Sequence, residues 1–271
     1  MKLISGAFAV FLLLLFVFDS AHTQTSENEL NLGVEAYKNS HYEEAIQHFR
    51  KATELDPANT RAHMYLATAY VSQYIPGVDT QDNQNLADRA IEQYQYVLNS
   101  DADQNSKTNS AKGVAYLYLN TKKFDAAKEY YQKAIGFEPT DPEPYYSIGV
   151  VDWTLCYQPR MEARARLGMR PEQNLNARIP AQAKVCHELS AENSHLIEEG
   201  MDSLNRAIEL RPDYDDAMAY MNLMYRERAD VECDDLPARA RDLENADHWV
   251  DKTLEVKKAK ASGQQPPPEQ K

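Results

Sequence analysis

Glycine is scarce in this chain, with nine residues among 271. Hairpin-rich sheet folds and phosphate-cradling loops both lean on glycine, so the scarcity argues against them. Cysteine is rarer still: Cys156, Cys186 and Cys233 are the full set. No CxxC pair occurs, which removes the usual zinc and thioredoxin-like motifs. Two readings of the three thiols stay open: three small buried hydrophobes, or one disulfide in an oxidising compartment with one thiol left over. Positive charge is also short. The formal net charge of −13 would repel phosphate backbones and anionic lipid heads, so nucleic acid is not expected as a partner. Histidines are scattered, and Cys186-His187 is an adjacent pair rather than a dyad meeting across a cleft. Nucleophile elbows and zinc-binding His pairs are missing as well. The chain is therefore read as non-enzymatic, with no catalytic residue, metal or cofactor expected.

The first 23 residues are of a different kind. Lys2 precedes an almost wholly apolar run from Leu3 to Phe18, ended by Asp19 and Ser20. That run is shorter than the roughly 20 residues that cross a bilayer as a helix. Residues 1–23 are expected to form a secretory signal peptide cut near Ala21 to Gln24. The alternative is an uncleaved signal anchor over residues 3–18, the one case in which the membrane is a partner. Either reading places the body of the protein outside the cytosol, in the periplasm or secreted.

A spacing repeats along the rest. Gly33, Ala45, Ala52 and Pro57 are separated by 12, 7 and 5 residues, and Ala115, Ala127, Ala134 and Pro139 repeat those separations. Phe49 and Tyr131 each follow the middle alanine by four. Small residues at such points let two helices cross closely, the aromatic fills the space beside the crossing, and proline closes the second helix. This pattern resembles the tetratricopeptide-repeat (TPR) family. The resemblance implies an all-α fold, a right-handed α-solenoid of about five helix pairs across residues 26–258. The units fall at about 26–59, 60–104, 108–141, 142–214 and 215–258. Units two, four and five carry insertions around Tyr74 to Asp79, over 155–195, and around Cys233 to Arg239. Residues 259–271, with Pro266 to Pro268, are expected to be a disordered tail.

Residues 155–195 follow no repeat rule. Two short helical patches are expected, near Arg160 to Leu167 and Ala181 to Leu189, with Arg160, Arg164, Arg166 and Arg170 forming a basic patch. Such a patch could capture an acidic ligand. The favoured alternative has the segment fold back and pair with the chain's own acids, namely Asp213 to Asp216 or Glu232 to Asp235.

In the TPR family the first helix of each pair lines a concave groove for a peptide or partner helix. Helical phase then assigns the groove to Leu30, Val34 and Tyr37; Met64, Thr68 and Val71; Lys112, Tyr116 and Leu119; and Tyr146, Val150 and Trp153. This face is apolar and aromatic, suited to a protein or peptide partner. Leu30 and Val34 occupy places where some family members carry carboxylate-binding Lys and Asn, so that clamp is absent. The competing expectation is that the unit-four insertion packs over Tyr37, Tyr116 and Trp153 and leaves no open groove. Two functions follow: a protein-interaction scaffold, or a structural or assembly subunit of an envelope complex or homo-oligomer.

Overall fold

The computed structural model describes residues 25–263, apart from 171, 172, 174, 176 and 177. The expected signal segment, 1–23, and the end of the expected tail, 264–271, lie outside the described residues. The described residues form helices joined by turns and contain no strand. In chain order the helices are α1 (25–38), α2 (Tyr42–Leu55), α3 (Thr60–Gln73), α4 (Gln81–Asn99) and α5 (Gln104–Asn120). They continue as α6 (Phe124–Phe137), α7 (Pro142–Arg166), α8 (Pro180–Leu210), α9 (Asp215–Val231) and α10 (Leu236–Ala261).

Local chemistry sets the ends. Side-chain oxygens of Asn59, Thr80, Asp103, Asp141 and Asp235 accept from backbone N–H groups in the first turns of α3, α4, α5, α7 and α10. Each such cap satisfies a donor that the helix leaves orphaned. Pro57, Pro139 and Pro212 each follow a second helix by two residues, where the chain turns to the next pair.

The chain divides into two compact units, 1–137 and 138–271. In the N-terminal unit α1 to α6 form three pairs around Leu30, Phe49, Leu66, Tyr70, Tyr94 and Leu117. Ala45, Ala52, Ala67, Ala90, Ala115, Ala127 and Ala134 are fully buried at the pair crossings. A Cβ on Gly33 would come within 2.5 Å of the Phe49 ring, so the repeat's small residue and its aromatic fit each other like key and slot. The C-terminal unit holds the pairs α7–α8 and α9–α10. Its core is rich in methionine, with Met201, Met218, Met221 and Met224 beside Leu204 and Ile197.

The extra residues of unit four do not form the expected pair of short patches. They lengthen both helices, so that α7 runs unbroken for 25 residues and α8 for 31. Pro159 lies inside α7 and cannot donate to the Leu155 carbonyl, a loss the packing of the lengthened part must offset. That part has its own small core of Ala163, Leu175, Cys186, Leu189 and Cys233. In unit five the expected insertion is likewise absorbed, leaving a turn at 232–235 before the 26-residue α10. α10 runs through Ala261, past the expected start of the tail at 259, and Ala259 is buried. Unit two matches expectation better: a loop spans 74–80, with Gly77 at φ +79°. Buried Asn83 pins this loop, accepting from the Ile75 N–H and donating to the Ile75 and Val78 carbonyls, each at 2.8 Å.

Candidate functional site

The N-terminal unit presents the expected groove residues of α1, α3 and α5 in three ways. Leu30 is fully buried in the core rather than facing outward. Val34, Tyr37, Met64, Thr68, Val71, Lys112 and Leu119 are half-buried, and Tyr116 is 39% exposed. The Tyr37 hydroxyl and the Ser72 Oγ share a hydrogen bond of 2.8 Å, so α1 and α3 turn these faces to the same side. Thr68 Oγ1 lies 3.4 Å from the Tyr94 hydroxyl, whose pKa burial pushes up. This face combines apolar side chains with phenols and hydroxyls, and Lys112 is its one expected charge.

In the C-terminal unit Tyr146, Val150 and Trp153 are half-buried on α7. Tyr146 meets Tyr214 at 5.0 Å and Tyr220 at 5.6 Å between ring centroids. Trp153 stacks on Tyr157 at 4.8 Å and meets Tyr220 edge-on at 5.4 Å. Burial raises the Tyr214 phenol to about 12, against the opposing pull of Arg211, which sits 4.3 Å over its ring. The lengthened α7 thus covers part of Trp153 through Tyr157, whereas Tyr116 stays exposed. Tyr157 was readable from sequence as the residue one helical turn beyond Trp153; Tyr220 follows none of the groove positions and carried no signal.

The four arginines separate into two pairs. Arg166 and Arg170 are exposed. Arg160 and Arg164 are turned inward and pair with acids of the chain itself, as the favoured alternative held. Those acids are not at the Asp213 to Asp216 turn or in the Glu232 to Asp235 segment. Arg160 reaches Glu227 at 2.9 Å and Asp230 at 2.7 Å, Arg164 reaches Asp230 at 2.6 Å, and Arg239 approaches the other Asp230 oxygen at 3.5 Å. The reason is geometric. Residues 160 and 164 lie one turn apart on the continuous α7, and 227 and 230 lie one turn apart on α9, so the two faces meet. Arg164 also donates to the Gln173 carbonyl and Arg239 to the Leu175 carbonyl, tying these two residues to the cluster. Burial of Glu227 outweighs the pull of Arg160 and holds its carboxyl up at about 7. The expected acids find other partners: Asp213 and Asp215 face Lys260, with Lys257 also near Asp215, and Asp234 faces His187.

Beside this cluster Cys186 on α8 is joined to Cys233 in the α9–α10 turn, with Cα atoms 5.7 Å apart. Of the two cysteine readings the disulfide is the one realised, and Cys156 is a buried thiol in the C-terminal core. Among the described residues no group of three or more His, Cys, Asp or Glu is placed to hold a metal ion. No helix among them is long and apolar enough to cross a membrane.

Known repeats fit this geometry. A TPR repeat model matches residues 33–73, the crossing of α1 with α2 and the whole of α3, and a tetratricopeptide-repeat model matches 113–141. Residues 33–73 and 113–141 are tetratricopeptide repeats. Solved structures agree in fold. This TPR chain resembles a crystal structure of MamA at 15% identity and a TM-score of 0.57, over 88% of this chain and 95% of that one. MamA from Desulfovibrio magneticus RS-1, residues 41 to the end, aligns at 13% identity and 0.55, covering 87% and 96%. YrrB, described as a TPR protein with an unusual peptide-binding site, aligns at 14% and 0.52, covering 90% and 97%. At such identities the likeness concerns the fold alone. A search of curated protein sequences finds no match.

Proposed function

We propose that this TPR chain is a non-enzymatic protein–protein interaction scaffold that works outside the cytosol and holds an extended peptide or partner segment along its A-helix faces. The observation that carries the reading is the face of α1, α3 and α5, where Tyr37, Met64, Val71, Tyr116 and Leu119 keep part of their apolar surface in solvent. Aromatic anchors of this kind supply binding energy with little rotamer entropy to lose. YrrB supports the reading by carrying a peptide-binding site on the same fold. The extracytosolic part rests on the composition of residues 1–23 and on the Cys186–Cys233 disulfide, since such bonds persist in oxidising compartments.

Peptides selected by display on the chain lacking residues 1–23 provide the test. Their affinity should fall about tenfold or more with Tyr116→Ala or Met64→Lys, the scale of a hot-spot loss. Leu254→Ala, at a 60% exposed position on α10, should leave it unchanged. Equal binding by all variants would remove this face as the site. A defined homo-oligomer by light scattering, with no selected binder, would favour the assembly-subunit role.

A further inference from the structure

The loop inserted in unit two builds a feature that the repeat alone does not. Residues 74–80 overhang the α5–α6 turn and leave a cavity of about 250 Å³ between them. Tyr74, Val78 and Asp79 line one side, and Asn120, Thr121 and Lys122 the other. Three of the most exposed apolar side chains in the N-terminal unit gather here: Ile75 at 59%, Val78 at 41% and, on the neighbouring A-helix face, Tyr116 at 39%. The Tyr74 phenol is itself buried, and that burial, with the Tyr116 phenol nearby, pushes its pKa up. The cavity therefore adjoins the proposed binding face.

Its shape is fixed in advance. Both polar side-chain atoms of Asn83, Oδ1 and Nδ2, are committed to the loop through three hydrogen bonds to Ile75 and Val78, and Thr80 caps α4 directly behind it. Gln84 donates to one oxygen of the exposed Asp79 carboxylate. The left-handed Lys122 is no special device, because Ser40 has the same conformation at the corresponding turn of unit one. What singles the cavity out is an apolar rim over a carboxylate, in a unit whose described residues carry a net charge of −4.

We propose that this cavity takes a basic side chain, arginine foremost, from the protein segment that lies along α1, α3 and α5. The inference rests on the scaffold reading and names the partner's chemistry. The aliphatic stem of arginine would lie against Val78 and the Tyr74 ring, and its planar N–H groups would reach the Asp79 carboxylate. A glutamate side chain would meet that carboxylate as a like charge. Lys122 on the far wall opposes a cation, so its removal should help binding while removal of the Asp79 charge should hurt it. This opposition of signs is what a bland surface hollow would not show.

The test is an amide-shift titration of the isotope-labelled chain lacking residues 1–23, with N-acetyl-arginine amide as probe and the citrulline and glutamate analogues as comparators. Arginine should shift the amides of Asp79, Asn83, Thr121 and Lys122, and citrulline about tenfold less at equal concentration, the scale of one charge-assisted hydrogen bond. Asp79→Asn should weaken the arginine response about tenfold, and Lys122→Ala should strengthen it. No shift around the cavity, equal response to citrulline, or Asp79→Asn and Lys122→Ala acting in the same direction would overturn the proposal. Should Asp79→Asn disturb the loop, seen as loss of the Asn83 side-chain signals, the sign of Lys122→Ala alone decides. The probe occupies the cavity without needing the A-helix face. If displayed peptides still bind through Tyr116 while arginine fails, this inference falls and the scaffold reading stands; if the peptides fail and arginine binds, the scaffold reading falls, and with it the partner segment, leaving only a cavity that prefers arginine.

Discussion

At Asp230 one carboxylate serves three guanidiniums in a site almost without water. Exposed ion pairs contribute little, but breaking a buried one strands a charge, at a cost of about 3–5 kcal/mol. Asp230→Asn should therefore lower stability by about that amount in urea unfolding. Arg164→Glu should do similar damage, because it sets a second buried carboxylate against Asp230. Glu227 in the same cluster gives a pH dependence. Its carboxyl is raised to about 7 in the folded chain from the ordinary 4.5. The native state thus holds a proton that the unfolded state releases between those values, and stability rises as pH falls from above 7 towards 4.5. The gain is at most about 3 kcal/mol, with no further gain below. Urea midpoints at pH 5.5 and 8 should differ in that sense, and Glu227→Gln should flatten the difference. An opposite slope in the parent that Glu227→Gln leaves intact would mean that Arg160 keeps the group ionised. Sequence reasoning reached Arg160 and Arg164 and their inward turn. It missed Glu227 and Asp230, because acids abound in the chain and only the meeting of two helix faces selects among them.

Pairs of helices were the most legible level. Small residues recur where axes cross, since a larger side chain there forces the helices apart, so the spacing that marks Ala127 is a direct imprint of packing. Ala127 is fully buried and Ala126 half-buried, one residue round the helix. Ala127→Leu should cost about 1–3 kcal/mol by overpacking, and Ala126→Leu much less. Similar melting of the two variants would show the crossing to lie elsewhere. The lengths of the helices were less legible. A ruler anchored at crossings reports how many residues lie between them, but not whether a surplus loops out or adds turns. In unit two Pro76 and Gly77 decided for a loop; in unit four the surplus adds turns, and α7 continues through Pro159. The cysteine pairing was beyond the sequence for a similar reason: it depends on α8 being long enough to bring Cys186 to the α9–α10 turn.

Over the whole molecule acidity is uneven. The described residues of the C-terminal unit carry a net charge of −8 against −4 in the N-terminal unit. Such a surface keeps the chain soluble and speeds encounter with basic partners, an effect that salt removes. Export can be checked on the molecule itself. Protein recovered from outside the cytosol should begin near Ala21 to Gln24 and, once denatured, show a single titratable thiol, Cys156, rising to three on reduction. A retained Met1 in a membrane fraction would favour the anchor. Three thiols before reduction would remove the argument for an oxidising compartment.

Arg160 and Arg164 meet Asp230 across 70 and 66 positions of chain. Repeat arrays are often pictured as growing one unit at a time from whichever end appears first. That picture cannot hold for the last two pairs here. A chain emerging N-terminus first delivers both arginines long before Glu227 and Asp230, the acids they pair with, and Cys186 waits a further 47 residues for Cys233. Until α9 arrives, the far half of α7 and α8 has positive charges with nowhere dry to go, so it should stay open while the first three pairs are already closed. The nascent protein therefore passes through a stage with a finished front and an unfinished rear, and its exposure to proteases or chaperones is concentrated in that interval.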